Sequence, residues 1–211
     1  MGPDLPLEPY LEIAGVFVGA LSGALAGVRK QFDAFGIAVL AWAAGLGGGL
    51  LRDVLIGAIP PVGISDWRFV LTTLLAAGVM YFFHPRIERA RRMVIVLDAG
   101  ALALFTVVGT VKGLEYGVPL LAAVFVGVLT GVGGGVLRDL LSGEVPVVLH
   151  HRQLYAIPSV LGAALTVGLW DAGVLGSVGT ASVVLGIFAL RMLALRYKVS
   201  APGPWRGSGV R

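Results

Sequence analysis

Long apolar runs broken by short polar or basic segments dominate this chain. A helix needs roughly 20 apolar residues to cross the hydrocarbon of a bilayer, where its backbone polar groups must be satisfied internally. Seven stretches qualify: about Pro9 to Val28, Phe32 to Ile56, Trp67 to Phe83, Met93 to Val111, Val118 to Leu141, Leu154 to Trp170 and Gly173 to Leu195. The runs do not alternate apolar with polar residues, which argues against the strands of a membrane barrel. The pattern predicts an all-α integral membrane protein with seven transmembrane helices. Residues 200–211, rich in Pro, Gly and Ser, read as a disordered tail.

A repeat underlies the pattern. A shift of 86 residues lays GLGGGLLRDVLIGAIP (45–60) on GVGGGVLRDLLSGEVP (131–146), with ten of sixteen positions identical. The same shift brings Glu12 to Asp98, Gly23 to Gly109, Gly27 to Gly113 and Phe69 to Tyr155. The chain thus divides into a three-helix repeat over 9–84, a second over 93–170, and a seventh helix over 173–195. An odd number of spans makes the second copy enter the membrane from the opposite side. The repeats are therefore inverted about a pseudo-two-fold axis in the membrane plane, as in many transporters.

Composition strengthens the membrane reading. The chain is 57% hydrophobic and 13% charged, with mean hydropathy +0.90; soluble domains carry about a quarter charged residues. The net charge of +4 does not point to nucleic acid, because the basic residues lie between apolar segments. Arg29, Lys30, Arg86, Arg89, Arg91, Arg92, Arg152, Arg196 and Lys198 fall on one side of the expected topology, and little beyond Arg68 and Lys112 on the other. The positive-inside rule then puts the N-terminus outside and the C-terminus in the cytoplasm of a cell (inner) membrane. No Lys or Arg precedes the first apolar run, so that run is a retained helix and not a secretory signal. The absence of Cys excludes disulfides and thiolate chemistry. Neither glycine cluster ends as a phosphate-binding loop does, and no hydrolase or metalloprotease spacing occurs. No enzyme, metal site or cofactor is expected. His84, His150 and His151 read as ordinary residues of the basic interface.

Gly47, Gly48 and Gly49, with their mates Gly133, Gly134 and Gly135, cost a helix about 1 kcal/mol each relative to Ala. Two roles could justify that cost: close approach of neighbouring backbones, or a kinked, partly unwound helix that turns carbonyls toward a conduit. Recurrence beside an ionisable pair favours the kink. Arg52, Asp53, Arg138 and Asp139 are charges inside apolar segments, and each needs a partner or water. Neighbours on a helix point about 100° apart, so Arg52 and Asp53 are poorly placed to pair with each other. Inverted symmetry instead predicts Arg52 with Glu12 and Arg138 with Asp98, either as packing bridges or as the charged gate of a path. Lys112, closing the fourth stretch, either snorkels to the interface or acts on a pore. Hydroxyls of Ser22, Thr106, Thr110 and Thr130 bond their own helices or line a wet path.

The doubled GGGLLRD (47–53) and GGGVLRD (133–139), each followed by Gly and Pro, resemble the prokaryotic trimeric intracellular cation (TRIC) channels, also known as the two-repeat glycine transporter or UPF0126 family. The stretch SGALAGVRKQFDAFGIAVLA (22–41) is similar as well, and the resemblance spans about residues 10–195. It implies a homotrimer in membrane lipid, with a pore in each protomer between the glycine-kinked second and fifth helices. It also implies a monovalent permeant cation, chiefly potassium, or sodium. The basic lipid-binding motif of animal members has no clear counterpart beyond Lys112. Two other readings stay open: a small-molecule (glycine-like amino acid) transporter, since inverted repeats suit alternating access equally, and a non-conducting scaffold.

Overall fold

The computed structural model describes residues 8–87, 93–149 and 154–199. Among these residues it contains eight α-helices and no strand: α1 (Glu8–Arg29), α2 (Ala34–Ile56), α3 (Val62–Ser65), α4 (Trp67–Ile87), α5 (Met93–Glu115), α6 (Leu120–Leu141), α7 (Ala156–Asp171) and α8 (Ser177–Arg196). A 3-10 turn at Val147–Leu149 follows α6 where the short α3 follows α2.

Local chemistry sets the helix ends. The Asp33 carboxylate caps α2 by accepting from the Gly36 amide at 2.8 Å. Gly57 ends α2 in the left-handed region (φ 76°), and the Ala58 amide donates back to the Asp53 carbonyl at 2.8 Å. Gly143 (φ 73°) ends α6 in the same way, with Glu144 donating to the Asp139 carbonyl at 2.8 Å. The Gly that follows each Arg-Asp is thus the residue that turns the chain out of its helix.

Five helices are long and apolar enough to cross a membrane: α1, α2, α5, α6 and α8. The apolar parts of α4 (Trp67–Phe83) and of α7 (Ala156–Asp171) are shorter. The 16 residues of α7 rise about 24 Å, less than the ~30 Å hydrocarbon core. The seven expected spans therefore correspond, among the described residues, to five helices long and apolar enough to cross and two shorter ones, α4 and α7, which are the stretches that were also shortest in the sequence. The short α3 was not foreseen. The basic residues Arg89, Arg91, Arg92 and Arg152, the pair His150 and His151, and the tail 200–211 lie outside the described residues, as do the side chains of His84 and Arg86.

Burial is inverted relative to a soluble protein. Large apolar side chains such as Leu121, Phe125, Val178 and Leu185 point outward, while Arg52, Asp53, Arg138 and Asp139 are buried. Small side chains let the helices approach: Ala20, Ala24, Ala41, Ala76 and Ala77 form a core between α1, α2 and α4. A second core of Ala103, Val107, Val111, Val183 and Ile187 binds α8 to α5. α2 and α6 pack together at the centre.

Both glycine clusters lie within unbroken helix. Neither cluster is unwound, and the middle glycine of each makes the close backbone contact that was the other expected role. A Cβ on Gly48 would stand 2.2 Å from the Thr130 carbonyl oxygen, and one on Gly134 2.2 Å from that of Ala44. The backbones of α2 and α6 touch there, and any side chain would force them apart.

Candidate functional site

Each Arg-Asp pair builds a buried charge cluster one turn before its helix ends. In the first, Arg52 Nη2 donates to Glu12 Oε1 at 2.6 Å, joining α2 to α1. Arg52 Nε donates to Asp53 Oδ1 at 2.8 Å. The other oxygen of Asp53 accepts from the Val62 amide at 2.9 Å, so this carboxylate also anchors the chain entering α3. Lys112, from the far end of α5, places its ammonium 2.9 Å from Asp53 Oδ1. Two carboxylates and two cations are thus held in direct contact. A small cavity lined by Glu12, Val16, Gly49, Val62, Phe69 and Phe105 borders the group.

The second cluster repeats this plan. Arg138 Nη1 donates to Asp98 Oδ1 at 2.8 Å and to the Ser22 hydroxyl at 2.6 Å, while Nε reaches Asp139 Oδ1 at 2.9 Å. Asp139 Oδ2 accepts from the Val147 amide at 3.0 Å. The Tyr155 hydroxyl donates to Asp98. The Arg191 guanidinium of α8 lies over the Tyr155 ring, 4.7 Å from its centroid, and donates to the Leu154 carbonyl at 3.1 Å.

The two acid–arginine pairs expected from inverted symmetry are both formed. The expectation that neighbouring Arg and Asp would not pair is corrected in both copies. The arginine side chain is long enough to fold its Nε back across the angle between adjacent helical positions. Lys112 does not reach outward; it is largely buried against Asp53. The hydroxyls of Thr106, Thr110 and Thr130 each donate to a carbonyl four residues back on their own helices. Gly47 and Gly135 are tight against side chains, Leu137 and Tyr155, whereas Gly49 has only Arg52 nearby, at 3.8 Å.

The clusters sit at opposite ends of the bundle. On α1, Glu12 serves the first and Ser22 the second, about 15 Å of helical rise apart. On α5, Asp98 serves the second and Lys112 the first, about 21 Å apart. Above the second cluster, outside the apolar helices, Lys30 forms an exposed ion pair with Glu144 that bridges the end of α1 to the end of α6. The bond from Lys30 holds the Glu144 carboxyl below its ordinary range. Sequence reasoning passed over Tyr155 and Arg191 as site residues. The signals were a Tyr where the repeat has Phe69, and an arginine inside the last apolar run.

The glycine transporter family model matches this chain twice, over residues 9–85 and 95–171. The second match begins at the same offset that superimposes the two motifs. A UPF0126 membrane protein of Deinococcus radiodurans is 43% identical over 155 residues, covering 73% of this chain and 72% of its own. One of Streptomyces coelicolor is 41% identical over 197 residues, covering 92% and 89%. The solved structure of a TRIC trimeric intracellular cation channel orthologue from Rhodobacter sphaeroides matches with a TM-score of 0.85 at 34% identity, covering 90% of this chain and 98% of that one.

Proposed function

Because the chain belongs to the UPF0126 family of multi-pass membrane proteins, the family of the prokaryotic TRIC channels, we propose that it is a monovalent cation channel of the inner membrane. The observation that carries this reading is the near-complete coverage of the Rhodobacter cation channel by this fold. α4 and α7 cross the membrane as short spans, giving seven crossings in two inverted repeats. Three copies assemble, and each holds its own path along the seam of α2 and α6, between the two charge clusters. The N-terminus lies outside and the C-terminus, following Arg196 and Lys198, lies in the cytoplasm.

The geometry refines how such a path works. Two buried arginines would repel a cation, but each is bonded to two carboxylates, so neither end presents an uncompensated positive charge. The hydroxyls of Thr106, Thr110 and Thr130 give their protons to their own helices, which leaves oxygen lone pairs as neutral acceptors. The carboxylates of the clusters are the charged groups that meet a cation. The seam is shut where Gly48 and Gly134 touch the opposite backbone, so conduction requires α2 and α6 to part there. Glycines have no side chains to disengage when they do.

Planar-bilayer recording under a potassium gradient tests the reading. Discrete unitary currents that reverse near the potassium potential are expected. Silence in the bilayer together with saturable glycine uptake into liposomes replaces the channel with a carrier. A reporter active only outside the cytoplasm, fused to the C-terminus, should be silent.

A further inference from the structure

Two hydroxyls complete the second cluster. Tyr155 donates to Asp98, and Ser22 accepts from Arg138 Nη1 at 2.6 Å. Neither has a counterpart in the first cluster. The shift of 86 residues that superimposes the motifs sets Phe69 against Tyr155 and Val108 against Ser22. A phenyl ring and an isopropyl group neither donate nor accept a hydrogen bond. Lys112, whose mate is Ala26, bonds Asp53 and does not replace them.

The difference shows on the two arginines. Arg138 Nη1 holds both Ser22 and Asp98, while Nε and Nη2 hold Asp139. Arg52 holds Glu12 through Nη2 and Asp53 through Nε and Nη2. Its Nη1 is buried and finds no acceptor among the described residues. Leaving a buried donor of a charged group unmet is costly, and folded proteins meet such groups with protein atoms or ordered water.

Space for that water lies at the symmetric position. A Cβ on Gly135 would stand 2.8 Å from the Tyr155 hydroxyl and 3.2 Å from Asp98 Oδ1. The mates of Gly135, Tyr155 and Asp98 are Gly49, Phe69 and Glu12. Those three residues line one cavity of about 10 Å³, the space that a single water needs. A Cβ on Gly49 would meet nothing nearer than Arg52 Nη2, at 3.8 Å. The cavity thus stands where the Tyr155 hydroxyl stands at the other end. Arg52 Nη1 shares its carbon with Nη2, which bonds Glu12 Oε1 at 2.6 Å, so Nη1 lies within two hydrogen-bond lengths of that carboxylate.

We propose that this cavity binds one water molecule, which donates to Glu12 and accepts from Arg52 Nη1. The water does for the first cluster what the hydroxyls of Tyr155 and Ser22 do for the second. Both partners are charged, so both bonds are of the stronger kind. The two ends of the α2–α6 seam therefore differ in hydration: side-chain hydroxyls close one, and a displaceable water completes the other. The inference holds for a channel and for a carrier alike.

Crystal structures of the full-length protein, at a resolution that shows ordered water, test this in three forms. Wild type should show one water within hydrogen-bond distance of both Glu12 and Arg52 Nη1, and none between Tyr155 and Asp98. In Phe69→Tyr the new hydroxyl should take the place of the water against Glu12. In Tyr155→Phe a water should appear beside Asp98 and Gly135. Elution volume and melting temperature report whether each variant is folded, and wild type with Phe69→Tyr decides the matter if Tyr155→Phe is not. A wild-type map that shows other internal waters but none here overturns the proposal. So does a water beyond the reach of Nη1, a water that persists beside Glu12 in Phe69→Tyr, or a folded Tyr155→Phe that gains none.

Discussion

The contact role assigned to the glycines predicts unequal effects within a single triplet. In Gly48→Ala the new methyl would lie 2.2 Å from the Thr130 carbonyl oxygen, more than 1 Å inside the 3.4 Å at which ordinary contact begins. The obstacle is the backbone of α6, which has no rotamer to change, so the helices must move. Overpacking of this kind costs typically about 1–3 kcal/mol, and a rigid neighbour puts it at the upper end. Replacing Gly by Ala inside a helix returns about 1 kcal/mol. The net change is about 2 kcal/mol of destabilisation. Gly49→Ala meets nothing closer than Arg52 at 3.8 Å, so it keeps the helical gain of about 1 kcal/mol. The two variants should therefore differ by about 3 kcal/mol. At about 2–4 °C per kcal/mol for a chain of this size, their melting temperatures separate by about 6–12 °C. Thermal unfolding of the detergent-purified protein, followed by circular dichroism and by loss of the monodisperse elution peak, measures the gap. Gly134→Ala should match Gly48→Ala, because it meets the Ala44 carbonyl at the same distance. Melting temperatures of Gly48→Ala and Gly49→Ala within about 2 °C of each other would refute the contact account. The triplet would then act through backbone flexibility, which any of its three positions can supply.

Other substitutions probe the charges. Arg52→Gln leaves Glu12 buried without its cation and Asp53 with Lys112 alone, and should cost about 3–5 kcal/mol; the double change with Glu12→Gln should cost less in the same melt, and a larger loss refutes the pairing. Lys112→Met unties α5 from α2 and should raise the open fraction in bilayer recordings, whereas an unchanged open fraction removes Lys112 from gating. Because the bond from Lys30 lowers the Glu144 pKa, any stabilisation by this pair is complete above the ordinary glutamate range and is lost as pH falls through the lowered value. The melting difference between wild type and Lys30→Met should thus shrink toward acid, and a difference that grows toward acid has the wrong sign for the pair.

The duplicated motif made much of this arrangement legible in advance. Seven apolar runs located the long helices to within a few residues, because membrane length and the absence of charge are one-dimensional properties. The pairing of Arg52 with Glu12 and Arg138 with Asp98 followed from symmetry plus the cost of a lone charge in hydrocarbon. What sequence did not disclose depends on distances across the bundle. Whether a Gly-Gly-Gly run bends its helix or seats a neighbour is decided by what stands opposite, and only the Thr130 and Ala44 carbonyls reveal that. The reach of Lys112 to Asp53 spans two repeats, with no local spacing to announce it. Pairing between adjacent Arg and Asp was dismissed on Cβ direction, which governs short side chains better than a guanidinium.

Symmetry alone would give the path two equal ends, so its departures from symmetry carry the information about direction. Three of them fall on the clusters: Lys112 against Ala26, Tyr155 against Phe69, and Arg191 on α8, a helix with no mate. They are not interchangeable. Tyr155→Phe removes a hydroxyl that donates to the charged Asp98, a bond of about 1.5–3 kcal/mol, and leaves Arg191 its ring to stack on. Phe69→Tyr adds a hydroxyl to a side chain that lines the same small cavity as Glu12, where a carboxylate can accept it. The first change should therefore lower the melting temperature while the second leaves it nearly level. The double swap should not restore wild-type stability, because among the described residues no guanidinium stacks on position 69 as Arg191 stacks on Tyr155. Full recovery in the double swap would mean that the ends are equivalent, and that α8 contributes packing to the second cluster but no polarity to the path.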